Sequence, residues 1–307
     1  MVATASAHLS PTAARTAGAV ARDYVSLTKP RIVELLLITT VPAMLVAAGG
    51  WPGVDLVLAT VIGGAMVSGS AHATNMVFDR DIDGAMRRTA HRPVPSGRIS
   101  PTAALTFAVA LLVVGTALMW TIAGMLAAAL TVGAWLWYVV VYTLWLKRRS
   151  VQNIVIGGVA GAAPPMIGWA AVTGQVGLPS LVLFTVVVLW TPTHFWALAV
   201  GTGQDYQRAE IPMLPVVRGP KVAAKHGAAY ATATVLVSLT LPLTGVGGWP
   251  YLVIAGGLGG YFIVRAVGLI ADPCPKRSWK VFHTSNLYLA TLFVTVAITG
   301  LLSTSSP

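Results

Sequence analysis

Nine apolar stretches follow one another along the chain, at about 32–50, 54–77, 101–120, 122–146, 151–173, 178–200, 223–244, 249–271 and 284–303. Each is close to or above the ~18 residues that a helix needs to cross a bilayer core. The polar positions gather between these stretches and rarely interrupt them. The pattern therefore predicts an all-α polytopic membrane protein of nine transmembrane helices.

The connections alternate in charge. The short turns at 51–53, 120–122, 174–177 and 245–248 contain no Lys or Arg. All of the 20 basic residues map to the side of the other loops and the segment before the first span, among them Arg80 to Arg98, Lys147 to Arg149, Arg208 to Lys225 and Lys276 to Lys280. Arg265 falls near the end of span eight on that same side. By the positive-inside rule this side is expected to be cytoplasmic, in a plasma membrane, with the N-terminus inside and the C-terminus outside. Of the nine acids only Asp55 falls on the other side.

Composition agrees with this reading. The 307 residues are 56% hydrophobic and only 9% charged. A net charge of +11 would suit nucleic acid, but its confinement to short loops beside membrane spans argues against that partner. Cys274 is the single cysteine, which excludes an intramolecular disulfide and a CxxC metal site. Residues 1–22, rich in Ala, Ser and Thr, lack an apolar core and read as a disordered tail ahead of one membrane domain over 23–307. Spans two and six each lead into an acid-bearing loop followed by prolines, a repeat four spans apart that implies two halves around a central cavity. Small-residue runs such as GGAMVSGSA at 63–71 allow helices to approach closely.

The densest chemistry lies in NMVFDRDIDGAMRRTAHRPVPSGR at 75–98. Asn75, Asp79 and Asp83 recur every four residues, so they share one helical stripe, each step rotating by only ~40°. Acids at the apolar end of a span are unfavourable by ~3 kcal/mol on insertion scales, so a row of them calls for a function. Divalent metal binding is the named mechanism. Asp81 points off the stripe, towards solvent or a loop arginine. Asp205, after span six, would be the opposing half of a two-metal clamp on a diphosphate. Lys147 and Arg148 end span four, with Arg88 in the first acid loop, and are candidate diphosphate ligands as well as topology signals. His194, beside Phe195 and Trp196 in span six, and His72 in span two are intramembrane histidines and hence candidates for a role.

Several blocks together resemble a known family: YVSLTKPRIVELLL at 24–37, N-x-x-x-D-x-x-x-D with M-x-R-T-x-x-R-P after it, YTLWLKRRSVQNIVIGG at 142–158, HFWALA at 194–199, DYQRAEIPMLPVV at 205–217 and SNLYL at 285–289. Over about 24–303 the chain is similar to the protohaem IX farnesyltransferases, a branch of the UbiA-type intramembrane prenyltransferases. The resemblance implies nine helices around a central cavity and Mg²⁺-dependent transfer of farnesyl from farnesyl diphosphate to a vinyl group of haem b, with water adding to give haem O. It implies Asn75, Asp79 and Asp83 on a first metal, Asp205 on a second, and Lys147 and Arg148 on diphosphate. One departure stands out: where a second D-x-x-x-D would end, this chain has Ala209, then Glu210. His194 is the first expected haem ligand and His72 the alternative. A haem-pathway enzyme is a further expected partner. The rivals are transfer to an aromatic or quinone precursor and, from another class, secondary transport; transporters place acids at the bilayer midplane, whereas these cluster at one surface.

Overall fold

The computed structural model describes residues 16–302. All regular structure there is helical. A short helix α1 (Ala17–Leu27) leads into α2 (Pro30–Ala48) and α3 (Val54–Phe78), and α4 (Arg80–Ala85) follows at once. Then come α5 (Pro101–Ala123), α6 (Met125–Leu146), α7 (Asn153–Thr173) and α8 (Leu178–Gly201). Two short helices, α9 (Gly203–Arg208) and α10 (Leu214–Val217), precede α11 (Pro220–Thr244), α12 (Gly248–Ala271) and α13 (Pro275–Leu302).

Eight of these are long and apolar enough to cross a membrane; the apolar part of α2 by that measure is Ile38–Ala48. The full 19 residues of α2 reach about 28 Å, which makes it the ninth span. The protein is thus a multi-pass helical membrane protein. Expected and observed bounds agree within a few residues except for the last span. There Pro275, which favours the first helical turn, starts α13 nine residues earlier than the apolar run, so its first turns take in Lys276, Arg277 and Lys280.

The helices close into a ring. α3 packs on α5, α6 on α7, α7 on α2, α8 on α11, α11 on α12, α12 on α13, and α13 back on α2 and α8. The α3–α5 pairing recurs four spans later as α8–α11, as the repeat in the sequence suggests. Of the expected tail at 1–22, residues 1–15 lie outside the described residues, whereas 17–22 are helical. Thr16 caps α1 by accepting from the Ala19 N–H at 3.3 Å. Tyr24 sits edge-on against Phe107 with centroids 5.1 Å apart, and Asp23 pairs with Arg98 at 3.2 Å. These contacts supply the ordering that the composition did not announce.

Glycine sets how closely α7 meets α2. A Cβ added to Gly168 would fall 2.6 Å from the Thr40 carbonyl oxygen, a backbone atom that cannot turn aside. Gly168→Ala is expected to cost about 1–3 kcal/mol of stability, read as an earlier thermal transition in detergent. Gly133→Ala, with open space around it, should not shift that transition downward.

Candidate active site

The ring encloses a cavity of about 330 Å³. Along α3 its wall runs from Thr60 to Asn75, about 22 Å of helix, so it extends from the acid-bearing end deep between the spans. The deeper wall is apolar, including Leu36, Val67, Ile167, Val187 and Leu289. The acid end is lined by Lys29, Asn75, Asp83, Arg88, Arg92 and Lys147. Size and lining suit an amphiphile with a long apolar part and an anionic head.

The acid stripe forms as its spacing requires. α3 ends at Phe78 and α4 resumes at Arg80, so the hydrogen bonds run on: the Asp79 N–H donates to the Asn75 carbonyl at 2.9 Å, and the Asp83 N–H to the Asp79 carbonyl at 2.7 Å. Asn75, Asp79 and Asp83 are all buried. The Asn75 Nδ2 donates to Asp79 Oδ2 at 2.6 Å and to Thr143 Oγ1 at 3.1 Å. Thr143 spends its own proton on the Tyr138 carbonyl at 2.9 Å. Lys29 Nζ donates to Asn75 Oδ1 at 2.9 Å. Every partner therefore fixes the same orientation of the Asn75 amide, because Lys29 can only donate and Asp79 here only accepts.

Cations flank each acid. Lys147 Nζ is hydrogen-bonded to Asp79 Oδ2, and Arg92 Nη1 to Asp83 Oδ2 at 2.7 Å. Lys29 stands in a left-handed backbone conformation, φ 51°, unusual for a lysine and typical of residues held in place by their surroundings. Burial, and then the Arg92 charge, push its pKa down to about 7.

The last ten residues of α6, Trp137–Leu146, form a π-helix, and the Lys147 N–H closes it on the Tyr142 carbonyl at 2.8 Å. That wider turn brings Tyr138, Tyr142 and Lys147 to the cavity wall together. Such segments gather at functional sites. Sequence periodicity at 3.6 residues could not reveal it, and neither could it show that Lys29, Arg92, Tyr138 and Thr143 belong to the site.

Some expected residues lie elsewhere. Arg148 does not line the cavity. It forks onto exposed Asp81 with two 2.7 Å bonds, donates to the Phe78 carbonyl at 3.0 Å, and stays 3.8 Å from Asp79 Oδ1. Those hydrogen bonds hold the Asp81 carboxyl down at about 2. Arg88 and Lys147 do line the cavity. His194 is turned away from it: the ring is stacked between Trp190 and Phe282, at 4.3 and 4.4 Å, and Nδ1 meets Ser285 Oγ at 2.9 Å. Ser285 gives its own proton to the Phe282 carbonyl, so the His194 Nδ1–H is the donor there. Phe195 lines the cavity and Trp196 does not. His72, the alternative, is in the wall, edge-on to Tyr138 at 5.3 Å, and its buried Nδ1 has no hydrogen-bond partner.

Asp205 lies in the first turn of α9, 3.8 Å from Arg208, and does not join the cavity wall. Glu210 is exposed, in a left-handed turn at φ 54°, and like Asp205 it does not line the cavity. Among the described residues no three His, Cys, Asp or Glu side chains form a ready metal cage. The stripe nevertheless fits a hard cation. Its donors are all oxygens, and Asp79 Oδ1 is buried with no hydrogen-bond partner.

A profile of the UbiA prenyltransferase family matches residues 36–295. The chain belongs to this family. Among UbiA relatives it is 47% identical over 283 residues to a protoheme IX farnesyltransferase of Symbiobacterium thermophilum, covering 92% of this chain and 95% of that one. It is 48% identical to a protoheme IX farnesyltransferase of Gloeobacter violaceus, covering 90% and 91%. Against one from Thermus thermophilus it is 47% identical over 92% of its own length, yet it spans about half of that relative, 46%. The UbiA fold is confirmed by solved structures: a digeranylgeranylglyceryl phosphate synthase has a TM-score of 0.76 at 20% identity, covering 92% of this chain and 99% of that one. A UbiA homologue from Archaeoglobus fulgidus, bound to GPP and Mg²⁺, has a TM-score of 0.62 at 17% identity, covering 90% and 99%.

Proposed function

We infer that the chain transfers the farnesyl group of farnesyl diphosphate to a vinyl group of protohaem IX, with addition of water, to give haem O and diphosphate. The observation that carries this reading is a buried Asn75–Asp79–Asp83 stripe closing an apolar cavity, in a chain 47% identical along nearly its whole length to a protoheme IX farnesyltransferase.

Asn75, Asp79 and Asp83 would hold one Mg²⁺, and Asp205 a second when α9 closes over the head group. Bound there, Mg²⁺ supplies positive charge to a departing diphosphate. Lys147 and Arg88 bind diphosphate oxygens from the wall. The C–O bond of the donor breaks, and the apolar cavity shields the allylic cation from early capture by water. The terminal vinyl carbon forms the new C–C bond. Charge passes to the carbon next to the macrocycle, water adds there, and its proton leaves to solvent. A vinyl group attacks as a neutral π-bond, so no strong base is needed. His72 would ligate haem iron, a reading supported by its position in the cavity wall and its unpartnered Nδ1.

The basic side faces the cytoplasm of a plasma membrane in this reading, so both head groups enter from that side. Haem b and haem O are membrane amphiphiles, and a neighbouring haem-pathway enzyme would hand them over without release to water. The test is expression in a cell that makes haem b but no haem O. Extracted haem should then contain haem O, and its absence from well-expressed protein would contradict the reading.

Lys147→Gln should weaken farnesyl diphosphate binding by about 10–100-fold, as loss of a charge-assisted bond costs ~1.5–3 kcal/mol. Arg148→Gln should change it little, because that guanidinium is committed to Asp81. Titrating both variants with donor, haem absent, checks this. Equal loss in the two would return Arg148 to the diphosphate site.

A further inference from the structure

We propose that Lys147 and Arg92 are exchangeable counter-ions, which neutralise Asp79 and Asp83 in the empty site and move to the diphosphate when a divalent cation takes the acid stripe. Metal and diphosphate then bind strongly only together. This rests on the reading of the stripe as a metal site.

Each candidate metal ligand already has a tethered cation. Lys147 sits on Asp79 Oδ2, Arg92 on Asp83 Oδ2 at 2.7 Å, and Lys29 on Asn75 Oδ1 at 2.9 Å. All three cations line the same cavity as Asn75 and Asp83. A divalent ion cannot reach those oxygens until the ammonium and guanidinium groups leave. Neither can leave freely. The Lys147 side chain is 14% exposed and that of Arg92 21%, so an unpaired charge there lacks most of its water.

Charge balance points the same way. Two carboxylates and two cations make a neutral pair of pairs. A dication alone would add two positive charges to a part-buried site. An organic diphosphate alone would add about three negative ones, with both carboxylates still facing it. Both together leave about one negative charge, which Lys29 and Arg88 face from the same wall. The released Lys147 and Arg92 find phosphate oxygens in place of carboxylates, and Arg suits that fork geometry. The arrangement also keeps the acids from holding a stray divalent ion between turnovers.

The test uses the full chain in detergent micelles, with Mn²⁺ and inorganic pyrophosphate as probes and equilibrium dialysis to count protein-bound Mn²⁺. Pyrophosphate should raise the Mn²⁺ affinity of the wild-type protein on the order of tenfold or more. Lys147→Met and Arg92→Met should bind Mn²⁺ alone on the order of tenfold more tightly than wild type, and respond less to pyrophosphate. Arg277→Met removes a cation in the first turn of α13, outside the cavity, and should behave as wild type. Thermal melting of each variant reports folding. If Lys147→Met is unfolded because Asp79 is left alone, Arg92→Met and the wild-type comparison decide. Wild-type protein that holds Mn²⁺ equally well with and without pyrophosphate overturns the proposal. So do folded variants that bind Mn²⁺ alone no better than wild type. No Mn²⁺ retained in any arm overturns the metal site and the counter-ion exchange together. Coupled binding without haem O formation supports the exchange and removes only the acceptor assignment.

Discussion

Asp79→Asn or Asp83→Asn should lower turnover by about 10²–10³-fold while the protein still inserts and folds. Both carboxylates are buried, Asp83 in the cavity wall and Asp79 behind Lys147, which lines it, and each change keeps shape while removing one charge. For Asp79 the Asn75–Thr143 contact survives, so the stripe should keep its geometry. The loss falls on ionisation of the donor, where opposing charge is needed most. Asp205→Asn should also lower turnover, through the second head-group contact, whereas Glu210→Gln should not, since that side chain is exposed. Turnover with saturating haem b, set beside a thermal melt, separates chemistry from folding. Near-normal rates in Asp79→Asn, Asp83→Asn and Asp205→Asn would remove the metal assignment.

His72→Ala should weaken haem binding on the order of tenfold and shift the haem absorption spectrum, with donor affinity nearly unchanged. The ring is in the cavity wall with an unpartnered buried nitrogen, which is what an axial ligand needs before haem arrives. His194→Ala should leave the spectrum alone and lower the thermal transition. It removes a ring stacked between Trp190 and Phe282 and a bond to Ser285, so it loosens α8 against α13. A spectrum unchanged in His72→Ala would mean that haem is held by its propionates and by packing.

Much of this architecture is legible in the chain because a bilayer demands long apolar helices, and because charge can only gather between them. The stripe is legible for the same reason: 79 and 83 stay four apart across the α3–α4 junction, where the backbone bonds continue. The choice between His194 and His72 is not. One helical position decides whether a ring faces the cavity or a neighbouring helix, and that depends on how α8 is rotated against α13. Arg148 and Lys147 are adjacent in sequence, yet one turns to Asp81 outside and the other to Asp79 inside. The π-helix that precedes them gives no periodic signal either. Lys29 and Arg92 looked like topology charges because their partners, Asn75 and Asp83, come from other turns of the chain. The α1 helix was hidden by its composition, since its order derives from Tyr24 on Phe107 and Asp23 on Arg98.

The most direct measurement incubates the purified chain with haem b, farnesyl diphosphate and Mg²⁺, beside parallel reactions in which an aromatic acid or a naphthoquinone precursor replaces haem, and reads the products by mass. Haem carrying one farnesyl group and one added water, formed only with Mg²⁺ and lost in Asp79→Asn, is the predicted result. A prenylated aromatic product with haem unchanged would contradict it.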